Sequence, residues 1–184
     1  MNFVLSPDGV RTAFGLSGVV YFPRYSDPNN QLNDAAALLL SSIGLPNTEW
    51  FMSKASLQAD DYIHVSEWDA GKGTVPEECS DWLIIGMFAD TTLALAPDTG
   101  TVYALGDSET EIVYRVIHRD VESLVYALTK FQILQQGLED GDDEDTEERV
   151  DALRTEITEF DPLPFEHQDS QWHLTFEEVI DGIW

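Results

Sequence analysis

Residues 92–105 carry the most restrictive pattern in the chain. Thr92-Leu93-Ala94-Leu95 and Thr101-Val102-Tyr103-Ala104-Leu105 are two apolar runs separated by Ala96-Pro97-Asp98-Thr99-Gly100. Proline presets one turn dihedral and glycine accepts a positive one, so the economical reading is an antiparallel hairpin. Further strand-like runs stand at Tyr62-Ile63-His64-Val65, at Trp82 to Gly86, and at Ile112 to Ile117 after the Gly106-Asp107-Ser108 turn. Together they predict a meandering sheet at the centre of the chain.

Helical periodicity brackets that sheet. After a short strand at Val19-Val20-Tyr21-Phe22, stopped by Pro23, Asn33 or Asp34 offers a cap to a helix over Ala35 to Ile43, which Gly44 and Pro46 end. Asp120 caps a second helix whose Val121, Leu124, Val125, Leu128 and Phe131 share one face, predicting a helix that covers the sheet. Val150, Leu153, Ile157 and Phe160 mark another, ending before Asp161-Pro162, and Trp172, Phe176, Val179 and Ile180 a last one with Ser170 as cap. Residues 139–148 hold eight carboxylates and nothing to bury, so they read as a mobile, solvated loop. The expectation is an α+β fold: one domain over 1–184, with a central, mainly antiparallel sheet flanked by N-terminal and C-terminal helices.

Charge narrows the function. Thirty-five acidic against nine basic residues leave a net charge of −26. Such a surface repels phosphate, which argues against direct nucleic-acid binding, and it speeds encounter with a basic partner. Taking away the eight acids of 139–148 still leaves −18, so the folded body is itself acidic. The single Cys79 forms no disulfide within the chain, the start lacks the basic and apolar regions of a signal peptide, and no apolar run approaches the ~20 residues that span a bilayer. The expected setting is the cytoplasm, away from membranes.

Chemistry-bearing motifs are weak. His64, His118, His167 and His173 lack zinc-site spacing and read as structural or surface residues. Gly15-Leu16-Ser17-Gly18 precedes a strand where a nucleophile elbow follows one, and Gly71-Lys72-Gly73-Thr74 lacks the earlier glycine of a phosphate loop. Asp140 to Asp145 places carboxylates like a calcium loop, but the sixth position is Asp145 where glycine is needed. Cys79 sits among Glu77, Glu78 and Asp81, which suppress its thiolate. No catalytic residue, cofactor or metal site is expected.

The order of elements is more specific than any motif. Tyr21-Phe22-Pro23, the helix stop Ile43-Gly44-Leu45-Pro46, Trp50-Phe51, Trp82-Leu83-Ile84-Ile85-Gly86, the hairpin Leu93 to Tyr103, the helix Val121 to Phe131, Asp161-Pro162, Trp172 and Glu177-Glu178-Val179-Ile180 follow in succession. This arrangement resembles the SUKH superfamily, specifically its fourth family of bacterial immunity proteins, over nearly the whole chain. The resemblance implies an α+β fold without catalytic activity that binds a cognate toxin domain, often a nuclease or nucleic-acid deaminase. An acidic binder fills a basic cleft by placing carboxylates where phosphates would sit. Candidate contacts on the sheet and its loops are Asp60, Asp61, Glu67, Asp69, Asp98, Asp107, Glu109 and Glu111. Trp50, Phe51, Trp68 and Tyr103 are candidate aromatic anchors, with Trp50 and Phe51 better explained as core. The alternative is an acidic nucleic-acid mimic or regulatory scaffold with no dedicated toxin partner.

Overall fold

The computed structural model describes residues 3–22, 32–53, 63–68, 74–107, 112–139 and 145–184. Ser6 caps a helix absent from the sequence expectation: its hydroxyl accepts from Gly9 N–H at 3.1 Å, Pro7 occupies the first turn, and α1 (Pro7–Phe14) runs to Gly15. β1 (Val19–Val20) is shorter than expected because Phe22 N–H donates instead to Leu40 O at 3.1 Å. Leu40 lies in α2 (Asp34–Ser42), where Asn33 Oδ1 accepts from Ala35 N–H at 2.9 Å. Gly44, at φ 81°, turns the chain into β2 (Leu45–Pro46), antiparallel to β1. A β-carbon on Gly44 would lie 2.6 Å from the Val20 carbonyl oxygen, so the site admits only glycine.

The remaining elements are β3 (Met52–Ser53), β4 (Ile63–His64), a 3₁₀ turn at Glu77–Cys79, β5 (Leu83–Met87), β6 (Thr92–Leu95), β7 (Val102–Asp107) and β8 (Ile112–His118). They are followed by α3 (Val121–Glu139), α4 (Thr146–Phe160), a 3₁₀ turn at Leu163–Phe165 and α5 (Gln171–Ile180). The main sheet runs β3-β5-β6-β7-β8, with β4 sharing the β5 edge with β3, and its described pairings are antiparallel. The hairpin closes as its turn chemistry dictates: Ala96 N–H donates to Thr101 O at 2.9 Å and Gly100 takes φ 78°. Part of the acidic run expected as a loop is helical. Glu139 ends α3, Thr146, Glu147 and Glu148 open α4, and residues 140–144 fall outside the described residues.

Alternation along the strands divides the interior in two. Leu83 and Ile85, Leu93 and Leu95, Val102 and Ile117 join the helices in the main core, whereas Ile84, Ala94, Leu105 and Ile112 build a smaller one with Val65 and Cys79. α3 is more than a cover for the sheet. Leu124, Val125, Ala127, Leu128 and Phe131 are all 0 % exposed, while on a further side Tyr126 stacks on Phe160 at 4.3 Å and Lys130 pairs with Glu156 at 2.5 Å of α4. The helix is enclosed by sheet and helices together, which explains its apolar character well beyond one stripe.

A buried polar cluster ties these layers. Trp172 Nε1–H donates to His118 Nε2 at 2.9 Å, and His118 Nδ1 lies 2.9 Å from Ser123 Oγ, whose hydroxyl donates to Asp161 Oδ2 at 2.5 Å. Asp161 Oδ2 also accepts from Arg119 N–H at 2.9 Å. Because the indole only donates, Nε2 accepts and the single imidazole proton sits on Nδ1, facing Ser123. Every partner is then satisfied by a neutral ring. Burial pushes the His118 pKa down to about 3, against the opposing pull of Asp161.

The folded pKa lies below the unfolded value of about 6.5, so the unfolded chain takes up the proton first as pH falls. The stabilising contribution is complete above about pH 6.5 and declines as pH falls toward the folded pKa, by up to about 1.4 kcal/mol per unit. His118→Gln should therefore show a shallower loss of denaturation free energy than the wild type between pH 6.5 and 4. Parallel slopes would refute the neutral-ring assignment. Separately, Gly44→Ala should lower stability in urea by about 2 kcal/mol or more, from a positive φ and a collision with backbone.

Candidate partner-binding face

The side of the sheet away from α3 carries the arrangement best suited to recognition. Trp82 immediately precedes β5, and alternation sets it with Ile84 on the smaller core rather than with Leu83. Register places Tyr103 opposite Ala94, which is itself opposite Ile84, while Leu105 stands opposite Tyr114. The small Ala94 on the intervening strand leaves room for the rings to meet. Trp82 stacks on Tyr103 with centroids 3.9 Å apart, and Tyr114 presents edge contacts to Trp82 at 5.0 Å and to Tyr103 at 5.9 Å. Trp82 and Tyr103 are half-buried and Tyr114 is 37 % exposed, so the corner is packed from below and open above.

Carboxylates border it. The Tyr114 hydroxyl donates to Glu78 Oε1 at 2.9 Å across 36 residues of sequence. Backbone N–H donation at Glu78 itself, and then the Tyr114 hydroxyl, hold this carboxyl below the ordinary glutamate range, while the bond to Glu78 raises the Tyr114 pKa. The described residues around β4 and leading into β5, 63–68 and 74–82, bring exposed Glu67, Glu77, Glu78 and Asp81 and no lysine or arginine.

Of the residues expected from sequence, Glu67 lies exposed among residues 63–68. Asp98 is exposed in the β6–β7 hairpin, whose Pro97 O accepts from Asn33 N–H at the foot of α2. Asp107 ends β7 opposite Ile112. Asp60, Asp61, Asp69, Glu109 and Glu111 lie outside the described residues. Among the anchors, Tyr103 belongs to the corner, Trp68 packs on the smaller core, Phe51 is fully buried, and Trp50 packs on Phe131 and Phe88. Trp82 and Tyr114, which complete the corner, are not among the residues expected from sequence. A run of alternating aromatic residues on neighbouring strands was the available signal, but the two residues meet only through the register of β5 to β8.

The buried His118–Ser123–Asp161 group has the composition of a hydrolase triad in a different order. The Ser123 hydroxyl donates its hydrogen bond to Asp161 rather than to the imidazole, and Trp172 occupies the imidazole nitrogen that a nucleophile would need. Cys79 is buried, and that burial, followed by Glu78, raises its thiol pKa. Among the described residues no group of histidines, cysteines and acids is arranged to hold a metal ion, and no helix is long and apolar enough to cross a membrane. A groove of about 230 Å³ between β8 and the loop before α5 is bridged by Arg115 and Asp169 at 2.5 Å, so its arginine is already paired.

Removing the Tyr114 hydroxyl isolates one of the two contacts on Glu78. In Tyr114→Phe the Glu78 carboxyl pKa should rise part of the way to its ordinary value, read by carboxyl carbon NMR, with the fold retained. An unmoved titration would mean that the hydroxyl contact is absent in solution.

Comparison with known proteins supplies the family. A family model described as SUKH-4 immunity protein matches residues 5–178, which includes every element from α1 to the greater part of α5. Searches of curated proteins and of solved structures return no match. With a single family model spanning sheet, flanking helices and the aromatic corner alike, the chain belongs to the SUKH-4 immunity protein family.

Proposed function

We propose that this protein neutralises a basic toxin domain, a nuclease or nucleic-acid deaminase, by laying its acidic sheet face over the toxin's nucleic-acid cleft. Membership of the family carries an immunity function and with it a cognate toxin as partner. The protein acts in this reading by occlusion, in the cytoplasm and without a catalytic step of its own.

The observation that carries the reading is the fate of the positive charges. All six described lysines and arginines are engaged: Arg11 with Asp8, Arg115 with Asp169, Arg119 with Asp120, Lys130 with Glu156, Arg154 with Asp151, and Arg149 with Gly137 O. The surplus carboxylates therefore set the outward potential, and a net charge of −26 accelerates encounter with a basic surface. The expected contacts remain Asp60, Asp61, Glu67, Asp69, Asp98, Asp107, Glu109 and Glu111, now joined by Glu78 and Asp81 at the aromatic corner.

Co-expression with its cognate toxin domain should protect the host cell, and the purified pair should associate with a strongly salt-dependent rate. Reversing Asp60, Asp61, Glu67 and Asp69 to lysine should slow association at low salt by about tenfold or more and flatten the salt dependence. Unchanged association would remove these acids from the interface. Equal binding to several unrelated basic proteins would favour the nucleic-acid-mimic alternative over a dedicated partner.

A further inference from the structure

We propose that the Trp82–Tyr103–Tyr114 corner receives an arginine side chain of the toxin domain, its guanidinium lying against the rings and directing N–H groups to Glu78. This rests on the immunity reading above and names the chemistry by which the partner is recognised.

Three aromatic rings in mutual contact on a partly open surface supply electron-rich faces, and a cation within about 6 Å of such a face is attracted by the ring quadrupole. Arginine suits the corner better than lysine. Its guanidinium is planar, stacks on aromatic rings, is less strongly hydrated than an ammonium and forms directed bonds to a carboxylate. Glu78 is placed for that bond: Tyr114 fixes it at 2.9 Å beside the rings, and its surroundings favour the ionised form. Tryptophan, tyrosine and arginine are also the residues most often responsible for the energy of an interface, usually paired across it.

Other occupants fit less well. An apolar side chain would cover Glu78 without satisfying it, a cost that falls on any partner lacking a donor there. A second copy of this chain would bring a net charge of −26 against its equal, and the described residues 63–68 and 74–82 offer no lysine or arginine to relieve the repulsion. A basic partner is the occupant whose charge complements the face.

The full chain, titrated at low salt with acetyl-Gly-Arg-Gly-amide and with its lysine and citrulline counterparts, tests this directly. The readout is the indole N–H resonance of Trp82, assigned from the spectrum of Trp82→Phe. The arginine peptide should shift it saturably, the lysine peptide should bind at least fivefold more weakly, and citrulline should have no effect. Glu78→Gln should weaken the arginine response about tenfold. An equal response to all three peptides, or shifts confined to the other tryptophans, would overturn the proposal. Tyr114→Ala, at an exposed position, keeps the test independent of folding: with an unchanged melting temperature it should lose at least tenfold in affinity for the toxin domain. If that variant binds and protects like the wild type, arginine docking fails while the immunity reading stands. If the wild type itself does not protect, the immunity reading fails whatever the peptides show.

Discussion

A neutral imidazole with no route to solvent holds the layers of this protein in register. His118 ends β8, Ser123 lies in the first turn of α3, Asp161 follows α4, and Trp172 opens α5, so one chain of hydrogen bonds joins four elements and bridges 38 residues between Ser123 and Asp161 and 54 between His118 and Trp172. Each bond is worth only about 1 kcal/mol net, but leaving any partner unsatisfied in the interior costs about 1–3 kcal/mol. The cluster thus specifies one arrangement more strongly than it stabilises it. Trp172 doubles its role, because the same indole packs against Phe88, Phe131 and Phe176 in the main core.

From that anchoring the two faces of the sheet acquire different tasks. The side toward α3 is largely occupied by aliphatic and aromatic packing, with the helix itself enclosed by α4 beyond. The far side buries only a small cluster around Cys79 and leaves its aromatic margin half-open. A sheet whose inner face is secured by helices can present a rigid outer face, and rigidity lowers the entropic cost of binding. The excess of acids weakens the folded state through self-repulsion, and with five of the six described lysines and arginines already paired to carboxylates, little positive charge is left to offset it.

Much of the fold was legible because its signals are local. The Ala96 to Gly100 turn, the Asn33 and Asp120 caps and the Gly44 stop each act within a few residues, and all sit where the sequence placed them. α1 carries local signals too, in the Ser6 cap, Pro7 and Asp8 of its first turn, though its run of periodicity is only 8 residues long. The two-residue strands β2 and β3 carry no readable period, since pairing with β1 and β5 is what makes them strands. α3 reads as a one-faced helix over its first turns, yet its other sides meet α4, α1 and α2 only after folding.

By itself the sequence determined the α+β class, the hairpin, the main helices and the acidic character, because turn dihedrals, capping, periodicity and net charge depend on neighbours in the chain or on simple sums. Only the tertiary structure decided that His118, Ser123, Asp161 and Trp172 form one buried cluster, and that Trp82, Tyr103, Tyr114 and Glu78 form one surface corner. Those groups come together through strand register and helix packing, where a shift of one residue would send each side chain to the opposite face.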